Sequence, residues 1–470
     1  MNLRISDFCH FVEGIDGLTA LYNSLTLGVV IVDKDTADFF RQVKAEQHKI
    51  IFSNQVSFLD DNLVNQLIKH KLVFSLDQRL DIEEYRKIQV GLKDKKIGLL
   101  YLLMIDTCNL ACTYCFIRDG MPRDYKSSKM SIETARFGID LFVNSLKNNT
   151  IEKPQIIFYG GEPLINFSVI ESALLYVEDL KDKEVLPQGT SVTINTNGTL
   201  VNEKIVSVLK KVKNLNVAIS LDGPKEIHNQ CRKYRNSSGT FDDVMRGYRL
   251  LSENGINVGV CCTISKYNVD QLQEISKWFV NELGVTSVSF NILIETNEIE
   301  SVRDDIWEYS EKTAKQIINC YRFFREKGVY EDRIMRKVNA FVDGYIYYND
   351  CGGCGEQIVV TPDGMIGPCQ AYCGNKKYFI QPDKSFDPLT HPIWEEWRFR
   401  SPLFMEQCRN CIALSICGGG CPYSADKRNG SIWELDDAFC IHAKATTEFL
   451  IKDLIEKMAS MTKRFSSPKK

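Results

Sequence analysis

Three cysteines, Cys108, Cys112 and Cys115, stand within eight residues of one another. They follow Ile97–Ile105, a continuous apolar run that is typical of a strand buried on both faces. Three thiolates at this spacing can wrap one corner of a small inorganic core, and such soft ligands favour zinc or iron–sulfur. A closed structural zinc site has its fourth ligand nearby, but no cysteine or histidine follows Cys115 at short spacing. The loop therefore predicts an open site in which a small molecule can bind.

Eight more cysteines are concentrated towards the C-terminus. They are Cys351, Cys354, Cys369, Cys408, Cys411, Cys417, Cys421 and Cys440. The chain has 17 cysteines in all, an odd number in a long chain that starts without a charged-then-apolar signal pattern. We therefore expect metal or redox chemistry rather than a disulfide scaffold. A pair of zinc sites on the same thiolates is the alternative.

The composition is that of an ordinary globular protein, with 44% hydrophobic and 25% charged residues among 470. The net charge of −3 argues against a nucleic-acid-binding protein held by bulk charge. The longest apolar run, Ile97–Ile105, is far shorter than the ~18 residues of a membrane span. We therefore expect no nucleic-acid partner, no membrane segment and a cytoplasmic location.

Strand-like and helical patterns alternate in the middle of the chain. The strand-like runs are Ile97–Ile105, Gln155–Tyr159, Ser191–Asn195, Asn216–Leu221, Val258–Ile264 and Ser287–Leu293. The helical patterns are Ser131–Leu146, Asn166–Leu180, Asn202–Val212, Phe241–Glu253, Val269–Glu282 and Asp304–Glu326. Six βα units in succession predict an α/β fold with a parallel sheet. A complete eight-unit barrel needs about 250 residues, so we predict a partial (β/α)6 barrel, with a doubly wound sheet as the alternative.

The first 95 residues have the pattern of a separate α+β module. Gly28–Val32 and Leu72–Leu76 resemble strands, whereas Asp35–Gln47 and Asp60–His70 have helical patterns. We predict a winged-helix-like unit, with a packing appendage as the alternative. The predicted domains are this module over residues 1–95, the barrel over 96–330, a cysteine-rich domain over 331–455 and a polar tail over 456–470, disordered from Lys463.

The cysteine loop resembles that of the radical S-adenosylmethionine (SAM) enzymes. In that family three and two residues separate the cysteines, and an aromatic residue, here Tyr114, precedes the last one. The resemblance implies a [4Fe–4S] cluster on Cys108, Cys112 and Cys115 whose fourth iron chelates SAM. One-electron reduction would then release a 5′-deoxyadenosyl radical that abstracts a hydrogen atom from the substrate. The protein's part is to position and shield the reactive atom.

Further motifs of this family occur in the expected order, beginning with Gly160-Gly161-Glu162-Pro163 after the second strand-like run. In the family this segment meets the amino end of the methionine. By resemblance, the residues that contact SAM are Gly160, Gly161, Glu162, Asn197, Ser220 and Arg232. Arg235 competes with Arg232 as the arginine that holds the carboxylate of SAM. Cys261 and Cys262, inside the fifth strand-like run, are predicted to be packed core thiols.

The C-terminal cysteines resemble those of the SPASM domain, an extension of radical enzymes that modify peptides and proteins. Thr361–Gly364, before Cys369, has the composition of a hairpin turn and fits that family. The resemblance implies two auxiliary [4Fe–4S] clusters, so three clusters per chain. The nearer one would take Cys351, Cys369 and Cys421, with Cys354 as a candidate fourth ligand, and the second would take Cys408, Cys411, Cys417 and Cys440. Cys373 has no assignment.

The resemblance as a whole implies a peptide maturase that modifies a ribosomally made precursor. Its N-terminal module would take the leader peptide as an added strand, and a flavodoxin or ferredoxin would donate electrons. A thioether cross-link is the first expectation for the product, followed by other cross-links or epimerisation. One alternative is a sulfatase maturase that forms formylglycine, in which an aspartate base follows the cysteine matching Cys369; here Gln370 stands there and cannot take a proton. The other is a non-catalytic metal-binding adaptor, which would need none of the SAM-contacting segments.

Overall fold

The computed structural model describes residues 2–46, 50–51, 59–76, 80–92, 96–121, 126–147, 151–294, 306–383 and 385–466. The N-terminal module contains β1 (Leu3–Ile5), β2 (Cys9–Glu13), β3 (Thr19–Asn23), β4 (Val29–Val32), α1 (Lys34–Ala45), β5 (Ile50–Ile51), α2 (Asp61–Lys69), β6 (Val73–Ser75) and α3 (Leu80–Gly91). Its two antiparallel sheets have the strand orders β5-β1-β6 and β2-β3-β4. The four predicted elements are present with shifted ends, Gln47 lying outside the described residues. The patterns did not reveal β1, β2, β3 or α3.

The central region contains the six predicted βα units. Its elements are β7 (Leu99–Ile105), α4 (Phe116–Asp119), α5 (Ile132–Leu146), β8 (Gln155–Gly160), α6 (Phe167–Asp182), β9 (Ser191–Thr196), α7 (Glu203–Leu209), β10 (Leu215–Ser220), α8 (Lys225–Cys231), α9 (Phe241–Glu253), β11 (Asn257–Thr263), α10 (Leu272–Asn281), β12 (Ser287–Asn291), α11 (Ile306–Lys327) and β13 (Tyr330–Glu331). Helix α5 begins where predicted, because the Ser131 side chain accepts a hydrogen bond from the Thr134 N–H. Residues 304 and 305 of the last predicted helix lie outside the described residues.

The main sheet has nine strands in the order β13-β12-β11-β10-β9-β8-β7-β14-β15, where β14 is Gln357–Val360 and β15 is Ile366–Gly367. All neighbouring pairs from β13 to β14 are parallel. From β7 to β13 each strand lies beside the one that precedes it in the chain, so the order never reverses as it would at the switch point of a doubly wound sheet. The parallel sheet and its open, barrel-like arrangement are therefore confirmed, and the doubly wound alternative is wrong.

The C-terminal region is rich in loops. It contributes α12 (Asp332–Asp343), β14, β15, α13 (Pro392–Phe399), α14 (Pro422–Asn429) and α15 (Asp437–Ser466). Strand β14 pairs with β7 and extends the barrel sheet by residues from beyond position 330, the predicted end of the barrel. The prediction of a tail from residue 456 that is disordered from Lys463 is wrong as far as Ser466, because α15 continues that far; residues 467–470 lie outside the described ones. Within the described part, no helix is long and apolar enough to cross a membrane.

The N-terminal module packs against the C-terminal region. The Ser415 hydroxyl and N–H donate to the carbonyls of Leu25 and Ser24, at 2.7 and 3.1 Å. Phe8 and Leu25 share an apolar cluster with Leu403 and Leu414, with Cys408 at its margin. The module therefore covers part of the surface around the last group of cysteines.

Candidate functional site

The three-cysteine loop leaves the carboxyl end of β7 and is held by the segments that follow the neighbouring strands. The Ala111 and Thr113 N–H groups donate to the carbonyls of Lys233 and Cys231, at 2.8 and 3.1 Å. The Asn109 amide donates to the Thr199 hydroxyl at 2.9 Å. The loop is thus tied to chain segments after β9 and β10, at the edge where catalytic residues of parallel α/β barrels usually lie.

Gly160 and Gly161 allow two backbone segments to approach each other. Gly160 has a φ of +136°, and a Cβ atom there would lie 2.2 Å from the Ile105 carbonyl oxygen. A Cβ atom on Gly161 would lie 2.0 Å from the Thr107 oxygen. Both distances are far below van der Waals contact, so only glycine fits at either position. In this structure the close partner of the two glycines is the backbone that leads into the cysteine loop.

Glu162 is buried, and its carboxylate is occupied by protein donors. It accepts hydrogen bonds from the Thr196 hydroxyl at 2.6 Å and from the N–H groups of Leu164 and Asn197 at 3.1 and 2.8 Å. Burial raises the pKa of Glu162 to about 7, against the opposing effect of these hydrogen bonds. The contacts assign Glu162 the role of positioning the chain at Asn197.

Asn197 in turn connects the end of β9 to the cysteine loop. Its Nδ2 donates to Asn109 Oδ1 at 2.9 Å and lies 3.6 Å from Cys108 Sγ. Its Oδ1 accepts from the Thr199 N–H at 3.0 Å. The sequence analysis missed Asn109, although an amide side chain directly after the first cysteine of the loop was the available signal. The fourth strand's predicted contact, Ser220, lies half-buried at the end of β10.

Arg232 forms a buried ion pair with Asp222. Its Nε and NH2 donate to the two oxygens of Asp222 at 2.9 and 3.3 Å, and Asp222 is fully buried. The guanidinium also stacks over the Tyr114 ring, 5.4 Å from its centroid, and the Tyr114 hydroxyl donates to Asp222. The exposed Arg235 donates its Nε–H to the Cys108 carbonyl at 3.0 Å. Arg232 therefore fixes the aromatic residue of the loop, while Arg235 contacts the loop backbone.

The thiols of the loop suit metal ligation once they are deprotonated. Burial raises the pKa of Cys108 to about 12 and that of Cys112 to about 11, and the positive charge of Arg232 opposes the rise at Cys112. Iron binding removes these protons, because thiolate is the ligand form. Three thiols on one anchored loop fit a cluster that leaves one coordination position open.

Cys351, Cys354, Cys369 and Cys421, here called the nearer quartet, come together from three separate segments. Burial raises the pKa of Cys369, and the other three thiols raise it further. Cys354 has no exposed surface, and its pKa is raised by burial and then by Cys351 and Cys421. Cys354 is thus buried within electrostatic reach of the three thiols that the resemblance groups, and its role as the fourth ligand stays a prediction.

Cys408, Cys411, Cys417 and Cys440, here called the second quartet, line one small apolar cavity together with Pro402, Ala413, Leu414 and Ala443. The N–H groups of Ala413 and Gly419 point at the sulfurs of Cys411 and Cys417, both at 3.4 Å. Within the described part of the chain, no three His, Cys, Asp or Glu side chains converge as they would on a single metal ion. The cysteines of each quartet are therefore grouped by their common burial and by their effects on one another's pKa values.

The cysteine loop and the nearer quartet face the same interior. Cys115, Cys369 and Cys373 belong to one apolar cluster with Tyr101 and Tyr159. The two tyrosine rings meet edge to face, with centroids 5.8 Å apart. This apolar cluster, to which residues of both cysteine groups belong, is here called the lumen.

The fifth strand of the barrel, β11, places its two cysteines on opposite faces. Cys262 is fully buried in the main core, as predicted. Cys261 is only half-buried, and burial first and then nearby thiols, Cys261 among them, raise the pKa values of Tyr101 and Tyr159. Because successive side chains of a strand alternate, Cys261 faces the lumen, and its prediction as a packed core thiol is wrong.

The fold and the loop define an open α/β barrel whose first strand leads into an iron–sulfur-type cysteine site. Residues 102–279 match the family model of the Radical SAM superfamily. The "Radical SAM cyclopropyl synthase TigE" of Paramaledivibacter caminithermalis is 24% identical over 97% of this chain and 96% of its own length. The cysteine-type anaerobic sulfatase-maturating enzyme of Clostridium perfringens is 25% identical over 74% of this chain and 94% of its own length.

A solved structure, that of native anSMEcpe with bound AdoMet and Cp18Cys peptide, shares this fold. It has a TM-score of 0.62 at 23% identity and covers 77% of this chain and 99% of its own. This likeness shows the shared fold, and the family match confirms the resemblance for residues 102–279, which form a radical SAM domain.

Proposed function

We propose that this chain is a radical SAM enzyme that modifies a ribosomally made peptide. The observation that carries the proposal is the shared lumen, because Cys115 of the loop and Cys369 of the nearer quartet lie in one cluster. A substrate in this space would be within reach of both groups. The relatives support the class of substrate, since they include the Bacillus subtilis protein named for subtilosin biosynthesis, 26% identical over 66% of this chain.

In this proposal Cys108, Cys112 and Cys115 hold one [4Fe–4S] cluster, and the two quartets hold two more. The loop cluster, when it carries SAM, supplies the abstraction of one hydrogen atom from the substrate. Asn197 holds the loop in register with β9 through Asn109, and Arg232 holds Tyr114 through Asp222. Tyr101 and Tyr159 narrow the lumen. Residues 96–330 would form the barrel and 331–455 the SPASM domain.

We assign residues 1–95 to leader recognition, with the outer edge of β4 as the place where an extended peptide adds. Among the described strands, β4 pairs with β3 alone. The Asn23 N–H donates to the Gly28 carbonyl at 2.8 Å, and the register pairs Leu21 with Val30 and Ala20 with Ile31. Bonded and non-bonded pairs alternate in an antiparallel ladder. The backbone N–H of Val30 therefore hydrogen-bonds to β3, whereas the backbone N–H of Ile31 points to the open edge of β4.

The substitution Ile31→Pro tests this assignment, because proline removes an outward donor without removing a bond to β3. We expect a fluorescein-labelled precursor peptide that binds the unchanged protein to bind this variant roughly fivefold more weakly, the effect of about 1 kcal/mol for one hydrogen bond. Fluorescence anisotropy measures the affinity. Ile31→Val is the matched control, since it keeps the donor, and it should bind like the unchanged protein.

Equal affinity of the proline variant and the unchanged protein would rule out strand addition at β4. Deleting residues 1–95 is a poorer experiment, because Leu25 and Ser24 accept hydrogen bonds from Ser415. The deletion would uncover the surface beside Cys408, and its effects would not be confined to the leader.

The nature of the bond formed is tested by mass spectrometry of the peptide after incubation with SAM and a reductant. A cross-link, for which a thioether is the first expectation, lowers the mass of the peptide by two hydrogen atoms. Epimerisation leaves the mass unchanged. Flavodoxin or ferredoxin should replace dithionite as the electron donor. Absence of 5′-deoxyadenosine in every mixture would favour a metal-binding adaptor and end the enzymatic proposal.

A sulfatase maturase is the second candidate, favoured by the Clostridium perfringens relative. The residue after Cys369 argues against it. Gln370 is an amide, and its Oε1 accepts a hydrogen bond from the buried Gln357 at 3.2 Å. An amide held in this way cannot serve as a base. Conversion of a cysteine or serine in a sulfatase-derived peptide to formylglycine would nevertheless establish this function.

A further inference from the structure

Two cations are buried without exposed surface in the C-terminal region, and they differ in their partners. Lys337 donates to the Asp350 carboxylate at 3.2 Å. Arg400 has no carboxylate within ion-pair distance in the described part of the chain. A buried charge is expensive unless it is paired. Arg400 is therefore a cation that forms no ion pair with any carboxylate among the residues that the structure describes.

The contacts of Arg400 are all to backbone carbonyls. Its Nε donates to Ile432 at 2.5 Å and its NH2 to Glu434 at 3.0 Å. Its NH1 donates to Gly419, and to Gly420 at 3.3 Å. These neutral acceptors satisfy the N–H groups, but they do not cancel the charge.

The two glycines belong to the segment that joins the quartets. Cys417 of the second quartet and Cys421 of the nearer quartet are separated by three glycines, whose φ values are +74°, +89° and +71°. Such angles favour glycine, and they turn two carbonyls of this segment towards Arg400. The guanidinium therefore lies against the backbone bridge between the two sites.

Arg400 lies between the two quartets. The two carbonyls that its NH1 contacts belong to Gly419, two residues after Cys417, and to Gly420, the residue before Cys421. The buried carboxyl group of Asp436 accepts from the Cys421 and Phe439 N–H groups and forms no ion pair with Arg400. The positive charge is therefore placed next to ligand-bearing segments of both quartets.

We propose that Arg400 is the shared counter-charge of the two auxiliary clusters and raises the reduction potential of both. This inference rests on the proposed function, which provides two clusters with four thiolates each. Such a cluster carries a net charge of −2 when oxidised and −3 after it accepts one electron. A fixed cation nearby stabilises the more negative state, so it favours reduction. Arg400 would act through the clusters and is a positioning and tuning residue, not a catalytic one.

The test is a dithionite titration followed by electron paramagnetic resonance, on full-length protein with Cys108, Cys112 and Cys115 replaced by Ala. In this background only the auxiliary clusters contribute a signal. For Arg400→Gln we expect the equilibrium constant for reduction to fall at least tenfold at both clusters, which is 59 mV for one electron. Arg400→Lys, which keeps the charge, should stay closer to the parent protein.

Arg398→Gln is the matched control, because Arg398 is also a buried arginine of the same segment and its pKa responds to burial, Glu395 and Glu356 rather than to cysteines. Its potentials should equal those of the parent. Unchanged potentials in Arg400→Gln would overturn the inference. If Arg400→Gln retains no auxiliary iron, recovery of iron in Arg400→Lys supports the charge, and equal loss in both variants overturns it. A parent protein without auxiliary iron would contradict the proposed function instead.

Discussion

The three-cysteine loop and the C-terminal quartets hold thiols in two different ways. The loop takes its cysteines from eight consecutive residues and is fixed by side chains of the neighbouring strand ends, such as Asn197, which donates to Asn109 of the loop. The quartets gather cysteines from distant segments, and glycine-rich turns and backbone N–H groups surround them. The loop faces the lumen, whereas the second quartet lines an apolar cavity of its own.

In the proposed function, this difference separates a site that must admit molecules from sites that need only hold a cluster. An open coordination position requires a rigid loop at an accessible strand end, which β7 provides. A cluster with four protein ligands can be enclosed, since nothing has to enter. We therefore expect that loss of the loop stops both the cleavage of SAM and the modification of the peptide. Loss of the second quartet should stop only the modification of the peptide.

The largest effect is expected from replacing Cys108, Cys112 and Cys115 together by Ala. Cleavage of SAM should fall to background, because no thiolates remain at the lumen end of β7. Chromatography of 5′-deoxyadenosine after dithionite addition measures this. Auxiliary-cluster absorption should persist, and 5′-deoxyadenosine formation by the triple variant would show that the active loop lies elsewhere.

Replacing Cys408 and Cys411 by Ala should remove about four of roughly 12 iron atoms. Some cleavage of SAM should continue, because the loop is untouched, but peptide modification should stop. Iron analysis and mass spectrometry of the peptide are the two readouts. Full peptide modification by this variant would contradict a role of the second quartet in the reaction.

Asp222→Asn should destabilise the protein by roughly 3–5 kcal/mol, because it leaves the buried Arg232 without a counter-charge. The midpoint of thermal unfolding measures the change. Asp242→Asn is the control, since Asp242 forms an exposed pair with Lys225, and such pairs contribute about 1 kcal/mol or less. Similar midpoints for both variants would mean that the Asp222–Arg232 pair adds little to stability.

Ionisation of Glu162 should make the free energy of unfolding depend on pH, and the raised pKa of Glu162 sets the direction. Burial raises its pKa from 4.5 to about 7, so between these values the folded protein binds more protons than the unfolded chain. The contribution of Glu162 to stability therefore falls as pH rises through this window, by roughly 3 kcal/mol in total, and is constant above it.

Glu162→Gln removes the titrating group, so the thermal midpoint of the unchanged protein relative to this variant should fall between pH 5 and pH 7. The midpoints are compared by scanning fluorimetry in one buffer series. A difference that stays constant across the series would show that Glu162 does not titrate there.

The smallest effect is expected for Cys373→Ala. This thiol lies beside the nearer quartet in the same apolar cluster, yet it has no place among the proposed ligands. The iron content should therefore remain at roughly 12 atoms per chain. Cys369→Ala, at a proposed ligand four positions earlier, is the control and should lose about four. Equal losses would make Cys373 a ligand and require the quartets to be redrawn.

The N-terminal hairpin of β2 and β3 could have been predicted from the sequence. Asp16 and Gly17 both have left-handed φ values, +54° and +74°, at the turn between β2 and β3. An Asp-Gly pair between two apolar runs is a strong hairpin signal that can be read from sequence. The pairing of β14 with β7 was different, because no local pattern marks a strand that returns to the sheet after more than 250 residues.

The sequence by itself determined the cysteine loop and the six βα units, because both depend on neighbours in the chain: ligand spacing within one loop, and apolar periodicity within one element. Only the tertiary structure decided which distant groups meet. It gave Arg232 a carboxylate partner, while Arg400 contacts only backbone carbonyls among the described residues. These outcomes depend on long-range packing in a low-dielectric interior, where the identity of a neighbour sets the energy of a charge.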